Sequence, residues 1–172
     1  QKKRLAGEGL RLLCVGRLTY YKDFATAIRA IALVPTASLQ IVGDGELRGQ
    51  LQTIIENYGV ADRVTLLGRV DDETLWRCFH GCDLLCLPSI ERTEAFGLVI
   101  LEAASFGKPS IVSDVEGSGM SWAIQQVQPR GYTFPAGDAK ALAAQLASID
   151  AELAQIEEFN ATPPSTHPIP NE

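Results

Sequence analysis

Three times in the first seventy residues the chain repeats one unit: a short apolar run, a glycine, a polar loop and a stretch of helical periodicity. Leu10 to Val15 ends at Gly16, Ser38 to Val42 at Gly43, and Arg63 to Leu67 at Gly68; a fourth run, from Asp83, stops at Pro88-Ser89. Between them Phe24, Ile28, Ile31 and Ala32 recur at helical spacing before Pro35, Leu47, Leu51, Ile54 and Ile55 before Gly59, and Leu75 and Phe79 within Asp71 to His80. Strands one, two and four are apolar on both faces, as strands buried inside a parallel sheet are. The spacing predicts a further helix from Phe96 or Gly97 to the Phe106-Gly107-Lys108-Pro109 stop, a fifth strand over Pro109 to Ser113, a short helix over Met120 to Gln126, a sixth strand over Gly131 to Phe134, and a last helix from Asp138, its cap, to Leu153. Repeated strand–helix units of this length make a doubly wound, Rossmann-like α/β domain: a mostly parallel sheet of about six strands, right-handed crossovers and helices on both faces. Residues 10–155 carry it, after a lead-in over 1–9 and before a Pro-rich, extended or disordered tail over 156–172.

Composition narrows the function. A formal charge of −6 argues against a nucleic-acid partner, which needs a basic face. No apolar run is long enough to span a membrane, and no signal peptide is visible. The chain starts at Gln1 and its one methionine is Met120, so a fragment or a processed chain is expected. Cys78, Cys82 and Cys86 bracket His80, but no Cys-x-x-Cys pair exists and Cys14 and Cys86 fall inside apolar strands. The expectation is free thiols, with Cys14 and Cys86 in the core, a reducing, cytoplasmic compartment and no metal site.

In a doubly wound sheet, ligands bind at the carboxyl ends of the strands, where the distinctive loops of this chain fall. Gly16-Arg17-Leu18-Thr19-Tyr20-Tyr21-Lys22 follows strand one. It matches neither the Walker pattern nor Gly-x-Gly-x-x-Gly, which weakens a nicotinamide oxidoreductase reading. Arg17 and Lys22 could together neutralise a diphosphate, one in bidentate fashion and one as a point charge; the plain alternative is two surface charges. Gly43-Asp44-Gly45-Glu46 reads as a tight turn with an Asp cap that a ligand could pass closely, and Gly68-Arg69-Val70 as a loop.

The stretch Glu94-Ala95-Phe96-Gly97-Leu98-Val99-Ile100-Leu101-Glu102 sets two carboxylates eight residues apart across a helix mouth. Unpaired amides and the helix dipole there suit a phosphate, Gly97 lets a ligand approach the backbone, and Glu94 and Glu102 could take hydroxyls on either side. The plain alternative is a capping carboxylate and a Glu on a solvated helix face.

Val15-Gly16-Arg17-Leu18 with Lys22, Val42-Gly43-Asp44-Gly45, Leu67-Gly68-Arg69-Val70, Pro88-Ser89, Glu94-Ala95-Phe96-Gly97 with Glu102-Ala103, and Gly107-Lys108-Pro109 follow one another in an order that resembles the donor-binding C-terminal half of retaining GT-B glycosyltransferases of family 4, or group 1. The resemblance covers residues 10 to 148 or so. It implies a UDP- or GDP-linked sugar as donor, a hexose transferred with retention to a glycan or lipid-linked acceptor in polysaccharide biosynthesis, and no cofactor or essential metal. It implies that Arg17 and Lys22 hold the diphosphate beside Gly16 and Gly43. Glu94 would contact the transferred sugar, with Arg17, Lys22 and Glu94 as the catalytic set. Phe96, Gly97 and Leu98 would offer amides, Glu102 would hold the ribose, and the Arg69-Val70 backbone would lie by the base. It further implies a missing N-terminal acceptor domain, without which transfer is poor or absent, and a cytoplasmic full-length enzyme, with peripheral membrane association left open. A non-catalytic α/β nucleotide-binding module is the alternative.

Overall fold

The structure, a computed structural model, describes residues 8–91 and 96–162. In chain order the elements are β1 (Arg11–Val15), a 3-10 turn (Tyr20–Lys22), α1 (Phe24–Ala32), β2 (Ser38–Val42), α2 (Arg48–Asn57), β3 (Val64–Gly68), α3 (Asp72–Gly81) and β4 (Leu84–Leu87), followed by α4 (Phe96–Ser105), β5 (Ser110–Asp114), α5 (Met120–Gln126), β6 (Tyr132–Pro135) and α6 (Ala139–Ala161). All pairings in the six-stranded sheet are parallel, in the order β3-β2-β1-β4-β5-β6. Chain direction across the sheet therefore reverses between β1 and β4, the switch point at which doubly wound sheets open a crevice.

The period-2 alternation of the central strands splits the interior into two cores. Leu12, Cys14, Leu84 and Cys86 face one side and pack with Phe24, Ile28 and Ile31 of α1, Leu51 and Ile55 of α2, and Leu142 and Leu146 of α6. Leu13, Leu85 and Leu87 face the other and pack with Phe79 of α3, Ile100 and Ala103 of α4, and Met120 and Ile124 of α5. Each fully buried Leu, Ile or Phe contributes about 1.5–3 kcal/mol, so β1 and β4, apolar on both sides, anchor both layers. The second layer is narrower than the first: Gln40 and Thr65 pair in register beside buried Leu13, yet both are exposed.

Two helix starts carry a side-chain cap, and the cap expected at Asp138 is one of them. Asp71 accepts the Thr74 amide at 2.8 Å and Asp138 the Ala141 amide at 2.9 Å, each at the first turn of its helix. Two expectations change. Asp44 does not cap α2: its carboxylate accepts the amide of the next residue, Gly45, at 2.9 Å, and α2 begins later, at Arg48, behind Leu47. The last helix does not stop at Leu153, and residues 156–161 are helix and not tail. Leu153 still packs on the first core, but Ile156 and Phe159 are exposed on this extension. The rest of the expected tail, from residue 163, lies outside the described residues, as does most of the lead-in.

Arg63, between α2 and β3, was given no role by its sequence context. Its guanidinium donates to the carbonyls of Ile31, Val34 and Ala37 at 2.9–3.0 Å, satisfying the open end of α1 and the turn into β2.

Candidate functional site

The loops after β1, β2 and β3 lock into one another through backbone alone. The Gly16 amide donates to the Val42 carbonyl (2.9 Å), the Leu18 amide to the Asp44 carbonyl (3.0 Å), the Leu47 amide to the Leu18 carbonyl (3.1 Å) and the Gly43 amide to the Gly68 carbonyl (2.8 Å). Such close approach explains why glycine stands at two of these positions. A β carbon on Gly43, whose φ is 136°, would lie 1.9 Å from the Gly16 carbonyl oxygen. One on Gly45 would lie 2.6 Å from that of Leu18.

Above this frame opens a cleft of about 580 Å³, lined by Arg17, Gly43, Asp44, Gly45, Glu46 and Arg69. Three predicted donor-site residues, Arg17, Gly43 and Arg69, thus meet in one place. Asp44, Gly45 and Glu46 join them; their loop was legible as a turn, and only the folding of β1 against β2 turns it toward Arg17. Arg17 and Glu46 stand 4.0 Å apart, and Arg48 and Asp44 3.9 Å. Val70, next to Arg69, is partly buried against the second core.

Lys22 sits at the edge of this frame. The atoms nearest a β carbon on Gly16 would be the Lys22 Cε and the Phe24 ring, both at 3.5 Å, so the lysine stem lies over Gly16. Its ammonium is 5.7 Å from the Tyr21 ring centroid, and burial lowers its pKa below the ordinary lysine value. Its sequence context places it at a helix start, but it does not begin α1. It closes the 3-10 turn, and Asp23 intervenes in the left-handed region (φ 51°, ψ 42°) before α1. Asp tolerates the position, and its carboxylate accepts the Thr26 hydroxyl at 2.6 Å.

Across the switch point, the turn holding Lys22 is tied to the loop after β4. The Ile90 amide donates to the Tyr21 carbonyl at 2.9 Å, and the Tyr20 hydroxyl donates to the Glu91 carboxylate, which raises the tyrosine pKa. Beside this seam Thr19 and Ser89 hold buried hydroxyls with no hydrogen-bond partner among the described residues. A third buried hydroxyl, on Ser113 of β5, donates to the carbonyls of Leu87 and Ser89. Glu94 lies outside the described residues, and so does the side chain of Phe96. Gly97, Leu98 and Glu102 do not line the cleft. They are exposed on the first two turns of α4, at the carboxyl end of β4, one strand over from β1. Glu102 is therefore more solvated than its apolar neighbours suggested, because Leu98 and Leu101 on the same helix are exposed too.

The four cysteines are free thiols buried in two separate cores, Cys14 and Cys86 in one and Cys78 and Cys82 in the other. Burial pushes the Cys82 thiol up to about 11. Among the described residues no group of three or more His, Cys, Asp or Glu could hold a metal ion. His80 is exposed and meets the Phe106 ring edge-on at 4.7 Å. No helix among the described residues is long and apolar enough to cross a membrane.

Residues 1–153 match the family model described as glycosyl transferases group 1. The chain belongs to that family. Among curated relatives, the group 1 chain is 34% identical over 145 residues to the amylovoran biosynthesis glycosyltransferase AmsK of Erwinia amylovora, covering 80% of this chain and 35% of AmsK. It is 33% identical over 130 residues to O-antigen chain mannosyltransferase C of Escherichia coli, covering 76% and 34%. The chain thus spans about a third of the length of these relatives. Among solved structures, sucrose-phosphate synthase of Thermosynechococcus elongatus superposes with a TM-score of 0.75 at 30% identity, over 87% of this chain and 38% of that one. Anabaena HepE in complex with UDP and glucose superposes at 0.70 and 26%, over 86% and 40%. The Rossmann-like sheet of this group 1 chain is the fold of those GT-B neighbours, and the glycosyltransferase family replaces the oxidoreductase alternative.

Proposed function

We propose that this chain is the donor-binding half of a glycosyltransferase that takes a nucleoside-diphosphate sugar and transfers its hexose, with retention, to a glycan or lipid-linked acceptor. The observation that carries the reading is the meeting of Arg17, Gly43 and Arg69 in one cleft at the carboxyl ends of β1, β2 and β3, with the Lys22 stem laid over Gly16 beside it. The family membership and the neighbours solved with UDP or UDP-glucose support a nucleotide sugar as the ligand class. In this reading Arg17 and Lys22 neutralise the diphosphate. As the sugar–phosphate bond breaks, negative charge builds on the leaving nucleotide, and preorganised cations interact more strongly with it than with the ground-state donor. The first amides of α4 and Gly97 receive a phosphate or sugar oxygen, Glu102 takes the ribose hydroxyls, the Arg69-Val70 backbone borders the base, and Glu94 contacts the sugar. Donor binding in this reading needs no metal, as the family resemblance implies. Transfer needs an N-terminal acceptor domain, which closes the cleft from the other side. Residence in the cytoplasm, with peripheral contact at the inner membrane face in the complete enzyme, belongs to the same proposal.

Titration calorimetry of the folded chain with UDP, GDP and ADP in EDTA tests the reading. Binding of one of them at up to millimolar concentration is expected, and silence with all three would sink it. Glu102→Ala should weaken the free nucleotide, whereas Glu94→Ala should weaken only the nucleotide sugar. In the complete enzyme, Arg17→Ala or Lys22→Ala should lower kcat by about 10²-fold or more with less effect on KM. Product anomers read by NMR test retention.

A further inference from the structure

The lining of the cleft that receives a diphosphate in the proposed function carries as many carboxylates as guanidiniums. Its six lining residues include two guanidiniums, Arg17 and Arg69, and two carboxylates, Asp44 and Glu46. Asp44 is committed elsewhere: it accepts the Gly45 amide and pairs with Arg48. Glu46 is different. Its one ion pair among the described residues is with Arg17, at 4.0 Å, and both side chains are exposed, at 60% and 70%. The backbones that carry the two side chains are fixed opposite each other. Leu18, next to Arg17, donates to the Asp44 carbonyl and accepts from the Leu47 amide, bracketing Glu46 on both sides. Gly45 lies so close under Leu18 that a β carbon would meet its backbone at 2.6 Å.

We infer that Glu46 is an affinity-setting residue of the donor site: it holds the Arg17 guanidinium when the cleft is empty, and a diphosphate must exchange with it. The inference rests on the donor-binding reading of Arg17. A diphosphate wins the exchange because it brings more charge and more acceptor oxygens to the guanidinium than one carboxylate does. When the nucleoside diphosphate leaves, Glu46 reoccupies Arg17. The carboxylate thus weakens ground-state and product binding and speeds product release. Nothing is lost in charge stabilisation once the exchange has occurred, apart from the repulsion of a solvated carboxylate that can swing into water.

The test measures binding of inorganic pyrophosphate and of UDP, in EDTA, to the wild-type chain, Glu46→Gln, Arg17→Gln and the double variant. Glu56→Gln, the same charge change on the exposed face of α2, serves as control, and circular dichroism confirms folding of each. Glu46→Gln should tighten pyrophosphate by about two- to fivefold, the range of one exposed ion pair, chiefly through a slower dissociation rate. Glu56→Gln should change nothing, and the Glu46→Gln gain should shrink to half or less on the logarithmic scale in the Arg17→Gln background. Equal affinities for wild type and Arg17→Gln, or no binding of either probe, would overturn the donor reading and this inference with it. Weakened binding by Arg17→Gln alongside an unchanged Glu46→Gln would overturn the inference alone. So would a loss of UDP affinity in Glu46→Gln without any change for pyrophosphate, which would place Glu46 on the nucleoside.

Discussion

Gly43→Ala strikes the frame under the cleft, and its cost can be worked from the backbone geometry. The added methyl would lie 1.9 Å from the carbonyl oxygen of Gly16 and 2.8 Å from its carbonyl carbon, both rigid backbone atoms. Unstrained carbon–oxygen contacts begin above about 3 Å, so the loops after β1 and β2 must part by roughly an ångström. Three hydrogen bonds cross this seam: Gly16 to Val42, Leu18 to Asp44 and Leu47 to Leu18. The φ of 136° adds strain for any residue with a side chain. Taking about 1–3 kcal/mol for overpacking, about 1 for the backbone conformation and about 1 for stretched hydrogen bonds gives roughly 3–5 kcal/mol. For a chain of this size that lowers Tm by roughly 10 °C. Urea unfolding at low temperature gives the free energy, and a thermal melt gives the shift. Pyrophosphate affinity, measured where the variant remains folded, should fall as well, because Arg17 and Glu46 ride on the displaced loops. A loss under about 1 kcal/mol with unchanged pyrophosphate affinity would refute the claim that backbone contact at Gly43 sets the geometry of the cleft.

Gly97→Ala should do the reverse. Among the described residues a β carbon there meets nothing within 4 Å, so stability should rise by about 0.5–1 kcal/mol while nucleotide-sugar affinity falls several-fold; a calorimetric titration showing wild-type affinity would free the α4 mouth of its assigned role. Arg63→Ala should cost about 2–3 kcal/mol by urea unfolding, because three carbonyls at the end of α1 lose one charged donor, and a change below about 0.5 kcal/mol would contradict that cap. Lys22 makes a pH prediction. Its folded pKa is lowered by burial, so the folded chain holds fewer protons than the unfolded one just below the ordinary lysine value of about 10.4, and its contribution to stability rises with pH across that window. A bound anion should restore the proton, so pyrophosphate binding in that window should take up a proton, read by calorimetry in two buffers of different ionisation enthalpy and absent in Lys22→Gln. Equal apparent enthalpies for the wild type would contradict the placement of Lys22 at the anion.

The sheet was legible in the order of residues because β1 and β4 must be apolar on both faces to lie between two helix layers, and glycines after β1, β2 and β3 punctuate the strands. Local pattern also located the loops that matter, since the carboxyl ends of parallel strands follow from strand direction. Contacts between residues far apart in the chain were not legible. Arg63 reads as a strand-edge charge until the sheet brings the end of α1 beneath it, and Asp44 reads as a helix cap until its own turn claims the carboxylate. The length of α6 escaped because Ile156 and Phe159 continue a helical pattern with no core beneath them, where local propensity and not burial decides the end. The pairing of Glu46 with Arg17 depends on hydrogen bonds joining residues about thirty apart in sequence, and only the stacking of β2 against β1 creates them. Residue type determined which groups could meet a phosphate; tertiary structure decided which of them share a cleft, because side-chain charge is local to the sequence and its counter-charge is not.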